Sequence, residues 1–502
     1  MASLILHTPR GDTAFSVEEG ALLADVLLAH GHPTDRPCGG IGRCGKCRVR
    51  ATGALSALTD GERTCLSAED LARSVRLACC TRVLGDVQVW MDGAVSHQIR
   101  TDGIAREVEP DPLFSALGAA VDIGTTTLAA QLYDTQGRQA TAAAPNSQGR
   151  YGADVISRIG RALEGEAAAL AACIREDVSR LLTELCRRAG RRVEDIDALV
   201  ITGNTAMLYL LTGESVAPLA AAPFRIEERY GRTVTAGELG LCCRSDVPVY
   251  LPRCMAAFVG ADITTAQLAS GLCDTDATSL LADIGTNGEL TLWHKGALTV
   301  CSTAAGPAFE AANLSCGMQG VDGAIDRVWI EEGRLCIHTI GDRPAAGICG
   351  SGVADLVACL LRQGRLDETG YLEEEQVTLA PGVTFTQEDV RQVQLAKSAI
   401  RSGIETLLHQ HGLSYEQVDR FAIAGGFGSY VSLGSAAAMG LIPPALADRC
   451  HSIGNAALAG AAMLLCSRPL LADSVAVADG ATSMELATNS YFIEQYMEQM
   501  MF

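Results

Sequence analysis

Three cysteines, Cys38, Cys44 and Cys47, stand in a glycine-rich stretch that reads RPCGGIGRCGKCRVR over residues 36–50. Thiolates are soft ligands that suit iron–sulfur clusters. A loop around inorganic sulfide must also bend tightly and bring backbone N–H groups close to the sulfurs, which glycine permits because it accepts positive φ angles. The stretch therefore predicts three ligands of an iron–sulfur cluster, and a fourth ligand is still required.

The candidates for the fourth ligand are Cys65, Cys79 and Cys80. The C-x5-C-x2-C loop resembles that of the adrenodoxin-like branch of 2Fe-2S ferredoxins, in which a late cysteine stands in an R-L-x-C context. This resemblance implies that Cys79, in VRLACCTR, completes a 2Fe-2S site, and its neighbour Cys80 stays open as the alternative. We expect Cys65 to be a small buried side chain on a helix. The rival interpretation is structural zinc, which is usually held by two close C-x2-C pairs.

A second group of residues could bind phosphate. In LGAAVDIGTTTLAAQLYD a buried run ends at Asp122, and the turn that follows contains Gly124, Thr125 and Thr126 before a second strand. Such a turn offers backbone N–H groups and hydroxyls to phosphate oxygens, while the carboxylate can hold Mg²⁺ or its waters. Taken alone, the pattern fits an ordinary hairpin equally well.

The same pattern returns about 160 residues later, where SLLADIGTNGELTLW contains Asp283, Gly285 and Thr286. A repeated strand, turn and strand indicates an internally duplicated fold with a nucleotide between its halves. This resembles the superfamily of acetate and sugar kinases, Hsp70 and actin. RFAIAGGFGSYV, with Gly425 and Gly426 after a strand, is similar to the adenosine-binding turn of that superfamily.

The resemblance implies a role for each of these residues. Asp122 and Thr125 would bind phosphate and Mg²⁺, Asp283 would orient water or metal at the γ-phosphate of ATP, and two glycines would flank the nucleoside. Asp122 and Asp283 are thus the predicted catalytic residues. The predicted nucleotide-binding residues are Gly124, Thr125, Thr126, Gly285, Thr286, Gly425 and Gly426.

Strand and helix patterns position these groups in separate domains. A hairpin (3–7 and 13–17), a helix with an acidic first turn (18–30), a strand (47–51), a helical patch (60–71) and a closing strand (86–90) predict a small β-grasp module. We therefore predict a 2Fe-2S ferredoxin-type domain at 1–92, a linker at 93–115, and an actin-like α/β ATPase fold whose halves span 116–275 and 276–502.

Three further stretches leave their role open. Gly203-Asn204-Thr205 is a strand-to-helix turn that lines the cleft or is simply structural. Glu310, in STAAGPAFEAANLSCGMQ, faces nucleotide, a partner or neither. Ser351, in AGICGSGVADLVAC, is predicted to cap a helix whose N-terminus could attract anions.

Composition narrows the functional classes. The 502 residues carry a formal net charge of −20, which argues against a nucleic-acid-binding surface. The 19 cysteines follow no disulfide framework, and the N-terminus has no basic segment before a long apolar core, so we expect a reducing cytoplasm. No uncharged apolar stretch approaches the roughly 18 to 20 residues that span a bilayer, so no membrane role is expected.

A ferredoxin module, a linker and a large actin-like domain, in this order, resemble the reductive activators of corrinoid-dependent enzymes. The resemblance implies that the protein reduces inactive Co(II) corrinoid, bound to the corrinoid protein of a methyltransferase system, to Co(I). ATP would be hydrolysed, an external low-potential donor would refill the 2Fe-2S cluster, and the protein would be a homodimer.

Other functions remain open from the sequence. One is an ATP-driven activator of a radical dehydratase, although those proteins have no ferredoxin module. Another is a non-enzymatic electron-transfer or sensor protein with a vestigial nucleotide fold. A small-molecule kinase would not explain the cysteine loop.

Overall fold

A computed structural model describes residues 2–8, 11–30, 32, 34, 40, 42, 43, 45, 47–91 and 102–502. The predicted ligands Cys38 and Cys44 lie outside the described residues. The chain divides into two compact units, Met1–Ser96 with Gln148–Arg161, and His97–Ser147 with Ala162–Phe502. Among the described residues, no helix combines the length and the apolar character that crossing a bilayer requires.

The N-terminal module is a mixed sheet with short helices, in the strand order β2-β1-β5-β3-β4. Its elements are β1 (Ala2–Thr8), β2 (Gly11–Val17), α1 (Leu23–Ala29), β3 (Arg48–Leu55), α2 (Asp60–Cys65), α3 (Ala68–Ala72), β4 (Val75–Leu77) and β5 (Val83–Trp90). Strand β1 pairs antiparallel with β2 and parallel with β5. Leu4 and Leu6 alternate into the core with Val87 and Val89, as the period of two in a strand demands. The β-grasp prediction is confirmed.

The first helix begins later than the sequence pattern indicates. Gly20 adopts a positive φ of 89° and donates its N–H to the Val83 carbonyl at 2.7 Å. Leu22 forms a bridge with Arg82, so the chain stays extended until Leu23. The acidic residues expected in the first turn therefore precede the helix, because pairing with the edge of β5 outweighs helical periodicity.

The first half of the large domain is built on a sheet in the order β10-β11-β9-β6-β7-β8. Its strands are β6 (Leu117–Ile123), β7 (Thr127–Asp134), β8 (Gly137–Pro145), β9 (Ala198–Gly203), β10 (Arg232–Thr235) and β11 (Pro248–Leu251). The helices of this part of the sequence are α4 (Val155–Arg161), α5 (Ala167–Ala189), α6 (Thr205–Thr212), α7 (Ala236–Leu239) and α8 (Ala261–Ser270).

The second half repeats this plan with a sheet in the order β21-β20-β12-β13-β14-β22. The strands of this half are β12 (Ser279–Ile284), β13 (Gly288–His294), β14 (Ala297–Thr303), β15 (Ala324–Glu331), β16 (Arg334–Thr339), β17 (Gly347–Ile348), β18 (Gln376–Ala380), β19 (Val383–Thr386), β20 (Arg420–Ala424), β21 (Cys450–Gly454) and β22 (Ala481–Ser483). Strands β15 to β17 form a separate three-stranded sheet, and β18 and β19 form a two-stranded one. The helices of this half are α9 (Gly350–Gln363), α10 (Gln387–Gln410), α11 (Gly425–Gly428), α12 (Leu433–Ala438), α13 (Ala456–Cys466), α14 (Leu470–Gly480) and α15 (Ser490–Glu498).

Pairing of the central strands establishes the duplication. Strand β6 lies antiparallel to β7 and parallel to β9, and β12 lies antiparallel to β13 and parallel to β20. Helices α8 and α13 pack where the halves meet, so closely that a Cβ on Gly460 would stand 1.9 Å from the Thr265 carbonyl oxygen. An apolar core containing Val200, Leu281 and Leu464 joins the two sheets through these helices. The predicted duplicated actin-like fold is confirmed.

Hydrogen bonds to backbone carbonyls fix the predicted linker and the C-terminal segment. The described part of the predicted linker donates from Ile104 to Ile453 and from Leu113 to Leu465, both at 2.9 Å. At the other end of the chain, Gln394, Lys397 and Ser398 of α10 donate to the carbonyls of Met500, Met501 and Tyr496. The C-terminal segment therefore packs on α10.

Candidate active site and cysteine site

The predicted catalytic residues Asp122 and Asp283 occupy equivalent positions at the ends of the two central strands. Asp122 is the penultimate residue of β6 and Asp283 the penultimate residue of β12. Burial raises the pKa of Asp283 to about 6. Burial, together with the charge of Asp283, raises the pKa of Asp122 to about 7, although the Asn455 amide donates to its Oδ2 at 3.1 Å and opposes the rise. The duplicated sheets thus bring the two carboxylates into one electrostatic environment.

Two further acids belong to this cluster, and the sequence analysis missed both. Asp262 lies in the first turn of α8, and burial followed by the charges of Asp122 and Asp283 raises its pKa to about 8. Glu289 lies on β13 directly opposite Asp283, and burial with the charges of Asp262 and Asp283 raises its pKa well above the ordinary value. Glu289 could have been predicted from the register of the hairpin, which places it opposite Asp283. For Asp262, the only signal in the sequence was its position just after a glycine at the start of a helix.

Four carboxylates in one cleft disfavour their own ionisation and favour a bound cation. Oxygen ligands of this type suit Mg²⁺, which usually keeps several waters and binds one or two carboxylates together with substrate phosphates. Among the described residues, no three His, Cys, Asp or Glu side chains converge to hold a metal ion by themselves. The donor set therefore fits a hydrated Mg²⁺ that takes further oxygens from a phosphate.

The two predicted phosphate loops form matching turns. Gly124 donates its N–H to the Thr127 carbonyl, and Gly285 donates to the Asn287 carbonyl, both at 3.0 Å. The hydroxyls of Thr126 and Thr286 both donate to one oxygen, Oε2 of Glu310, at 3.1 and 2.9 Å. One hydroxyl from each half thus converges on a single anionic oxygen, as a phosphate oxygen would require. Glu310, whose role the sequence left open, lies in this cleft.

Two asparagines hold the first loop. Asn146 donates from Nδ2 to the Gly124 carbonyl at 2.9 Å, and its N–H donates to the Thr126 carbonyl at 2.9 Å. Asn204 caps α6 by accepting from the Met207 N–H, and its amide donates to the Thr125 hydroxyl at 3.1 Å. The Gly203-Asn204-Thr205 turn therefore lines the cleft.

The glycine pair after β20 passes beside Asp283. Gly425 has a φ of 89°, and a Cβ there would stand 2.5 Å from Asp283 Oδ1, so only glycine permits this approach. No atom lies within 4 Å of a Cβ built on Gly426. The next residue, Phe427, stacks on Phe309 with ring centroids 4.6 Å apart, which joins this loop to the turn that ends at Glu310.

The predicted cap of α9 is wrong. The N-cap residue is Cys349, and Ser351 lies inside the first turn, where its hydroxyl donates to the Asp326 carbonyl at 2.9 Å. Gly350 comes so close to the Phe309 carbonyl that a Cβ would stand 1.9 Å from that oxygen. The glycines of this stretch therefore allow α9 to pack on the turn before Glu310.

In the N-terminal unit, Cys47 and Cys79 lie together with their sulfurs 3.1 Å apart, and both are buried. The Cys80 sulfur lies 3.7 Å from that of Cys79. A Cβ on Gly42 would stand 2.4 Å from the Cys80 sulfur. Cys65 ends α2, and its sulfur lies 3.5 Å from the Gly42 carbonyl oxygen. Two adjacent buried thiols beside a glycine-rich backbone fit part of an iron–sulfur donor set.

A buried ion pair holds the strand that presents Cys79. Glu62 has no exposed surface and accepts from Arg76 Nε at 2.7 Å, from the Leu77 N–H at 3.3 Å and from the Thr81 hydroxyl at 3.1 Å. Burial acts to raise the pKa of Glu62, but the hydrogen bonds from Arg76 and Thr59 outweigh it, and the pKa is lowered. Glu62 thus fixes the chain on both sides of Cys79.

Comparisons with known proteins match consecutive parts of the chain to three family models. These are a 2Fe-2S iron–sulfur cluster binding domain at residues 7–84, the RACo middle region at 117–275, and the C-terminal domain of RACo, the ASKHA domain, at 277–502. The corrinoid activation enzyme RamQ of Eubacterium limosum is 29% identical over 98% of this chain and 98% of its own length.

Two other proteins are similar over most or all of the chain. The [Co(II) methylated amine-specific corrinoid protein] reductase of Methanosarcina barkeri is 27% identical and aligns with 76% of this chain over 76% of its own. The solved structure of a reductive activator for corrinoid,iron-sulfur protein superposes with a TM-score of 0.74 at 27% identity, and covers 100% of this chain and 98% of that one.

Replacing Glu62 should loosen the strand that presents Cys79. Glu62→Gln leaves Arg76, whose side chain is only 11% exposed, without its counter-charge, so we expect a loss on the order of 3 kcal/mol in the opening free energy of β4 and β5. Hydrogen exchange of peptides from these strands measures it. The exposed control Glu18→Gln should leave the exchange unchanged, and equal protection in both variants would contradict the role of Glu62.

The acidic cluster should make the metal-free protein less stable as the pH rises. A carboxyl whose pKa is raised by folding binds its proton more tightly in the folded state. The stabilising contribution of the protonated cluster is therefore fully present below about pH 4 and is lost as the pH rises through about 6 to 8. Asp262→Asn should raise the free energy of unfolding by on the order of 2 kcal/mol at pH 8 and change it little at pH 5.

Urea unfolding in EDTA at the two pH values measures this difference. The exposed control Asp276→Asn should behave like the wild type. An Asp262→Asn variant with the wild-type pH dependence would show that burial and the neighbouring charges do not raise the pKa of Asp262.

Proposed function

Because the chain belongs to the RACo family, whose models match residues 117–275 and 277–502, we propose that it is an ATP-dependent reductive activator of a corrinoid protein. The observation that carries the proposal is that one chain holds a ferredoxin-type module and a duplicated nucleotide fold in the same order as its relatives. In the proposed reaction one electron reduces the Co(II) corrinoid of a methyltransferase system to Co(I), and water hydrolyses ATP to ADP and phosphate.

A bound 2Fe-2S cluster would supply that electron and be reduced again by an external low-potential donor. Cys38, Cys44, Cys47 and Cys79 are the proposed ligands. The proximity of the Cys47 and Cys79 sulfurs supports Cys79 as the fourth ligand. The glycines at positions 42 and 45 have φ angles of 75° and 67°, which supports a loop that turns its N–H groups towards sulfur.

In the nucleotide cleft, Asp122 and Asp283 are proposed to hold Mg²⁺ through its waters and to orient the attacking water. Asp262 and Glu289 add negative charge that favours the cation. Gly124, Thr125, Thr126, Gly285 and Thr286 would contact the phosphates, and Gly425 and Gly426 would flank the nucleoside. The convergence of Thr126 and Thr286 on one Glu310 oxygen supports this arrangement, because two hydroxyl donors there are spaced for a single anion.

Energetics explain why the two activities share a chain. Plant-type 2Fe-2S ferredoxins have reduction potentials of about −400 mV. The reduction potential of the Co(II)/Co(I) couple of corrinoids is expected to be lower still. ATP can drive this transfer only if its bound and hydrolysed states bind the two corrinoid states differently. The halves that meet at α8 and α13 can supply such states by hinge closure.

The proposal extends to the setting of the protein. We propose that the protein is a homodimer. We also propose that it lies in the cytoplasm, in keeping with cysteines that form no disulfide among the described residues. Nucleic-acid binding is not part of the proposal, because a net charge of −20 repels phosphate backbones.

The first test is anaerobic formation of Co(I). Cluster-loaded protein, a chemical reductant and ATP are mixed with a Co(II) corrinoid protein, and the Co(I) absorbance band is followed. We expect ATP-dependent Co(I), lost in Asp283→Ala and in Cys44→Ala but retained in the exposed controls Asp276→Ala and Cys242→Ala. Failure with several corrinoid proteins, despite an intact 2Fe-2S spectrum, would favour an electron-transfer or sensor protein.

The fourth ligand is tested by two neighbouring substitutions. Cys79→Ser should lose most of the visible absorbance and iron content of the reconstituted protein, because oxygen replaces a soft thiolate ligand. Cys80→Ser should retain both, and its reduced form should give the wild-type electron paramagnetic resonance spectrum. The reverse pattern would assign the ligand to Cys80.

A further inference from the structure

The segment that follows the N-terminal module is fastened to the chain just before α13. Asn455 donates its N–H to the Asp102 carbonyl at 3.2 Å, and Ile104 donates to the Ile453 carbonyl at 2.9 Å. Gly103 forms an antiparallel bridge with Gly454. We call residues 102–104, with their bonds to residues 453–455, the tether clamp.

The tether clamp requires glycine on both sides. A Cβ on Gly103 would stand 2.3 Å from the Asn455 carbonyl oxygen. A Cβ on Gly454, whose φ is 71°, would stand 2.5 Å from the Asp102 carbonyl oxygen. The two backbones therefore cross at a distance that any side chain would increase.

Asn455 connects this crossing to the nucleotide cleft. Its Oδ1 accepts from the Leu458 N–H at 2.8 Å and so caps α13, while its Nδ2 donates to Asp122 Oδ2 at 3.1 Å. Its backbone N–H is the donor to Asp102. One residue thus contacts the tether, the helix and the carboxylate of the first phosphate loop.

The chemistry of the residue points beyond capping. Serine, aspartate and asparagine all cap helices well, since each supplies an oxygen to the first free N–H groups. Of these, only asparagine also supplies an amide donor to a carboxylate across the cleft. Capping of α13 therefore does not require the amide donor by which Asn455 contacts Asp122.

We propose that Asn455 is a positioning residue that couples the tether clamp to Asp122, so that nucleotide in the cleft and attachment of the tether stabilise each other. The inference rests on the proposed function, because it takes the ligand of the cleft to be a nucleotide. Coupling of two binding events is reciprocal. If the clamp favours nucleotide, nucleotide must favour the clamp.

The first arm measures nucleotide affinity on the full, cluster-loaded chain by calorimetry with MgADP and a slowly hydrolysed ATP analogue. Asn455→Ser keeps a good helix cap and removes the amide donor, so we expect a Kd about tenfold higher with little change in thermal stability. Asn455→Asp also caps but places a further carboxylate against Asp122, and should weaken binding more. An unchanged Kd in both variants would overturn the proposal.

The second arm breaks the clamp from the other side. Gly103→Ala should raise the Kd about fivefold, although the atoms nearest to its added Cβ belong to Asn455 and Ala459 and not to the cleft acids. Gly480→Ala is the matched control, because no atom lies within 4 Å of the added Cβ. In the Asn455→Ser and Gly103→Ala double variant the effects should not add. Full additivity would overturn the coupling.

The third arm reads the reciprocal effect without any activity. MgADP should slow hydrogen exchange in a peptide covering residues 102–106 of the wild type, but not of Asn455→Ser at saturating nucleotide. Unchanged exchange in wild-type protein that binds MgADP would overturn the inference alone. Absence of all nucleotide binding would refute the proposed function as well, and failure of Co(I) formation with the coupling intact would refute only the corrinoid assignment.

Discussion

Burial of four carboxyl groups in one cleft is the constraint around which the large domain is arranged. Asp122, Asp262, Asp283 and Glu289 come from two sheets and a helix, and the charge of at least one neighbour helps to raise the pKa of all but Asp283. Such a group holds together only because strand pairing and helix packing fix each backbone. The result is a cleft that is unfavourable when empty and ionised, and that gains from a divalent cation. The proposed binding of metal and phosphate would relieve this unfavourable state.

Duplication explains how the opposing groups reach the same place. Each half supplies a central strand with aspartate as its penultimate residue, a glycine turn and a threonine hydroxyl, and the two hydroxyls converge on one Glu310 oxygen. If either half moves, the distance between the two hydroxyls changes. An anion that accepts from both hydroxyls therefore requires one particular spacing of the two halves.

Local patterns in the sequence predicted the parts that recur, and failed where distant segments decide. Asp122 and Asp283 were identifiable because one motif appears twice. Asp262 was missed because its neighbours in the cleft come from strands far along the chain. The late start of α1 follows from the pairing of Leu22 with Arg82, and the cap of α9 from close packing on Phe309, which no local periodicity encodes.

The C-terminal segment is held in two ways, because side chains of α10 donate to its backbone carbonyls and its aromatic side chains pack against the core. Every residue type carries a carbonyl, so these bonds place little demand on which amino acids the segment contains. The demand on sequence comes instead from the aromatic contacts, in which Tyr491 stacks on His409 with ring centroids 3.8 Å apart and the Lys397 ammonium lies 5.2 Å from the Phe502 ring. Substitutions should therefore be tolerated best where the segment contributes only a carbonyl, and least at its aromatic residues and at the buried donors of α10.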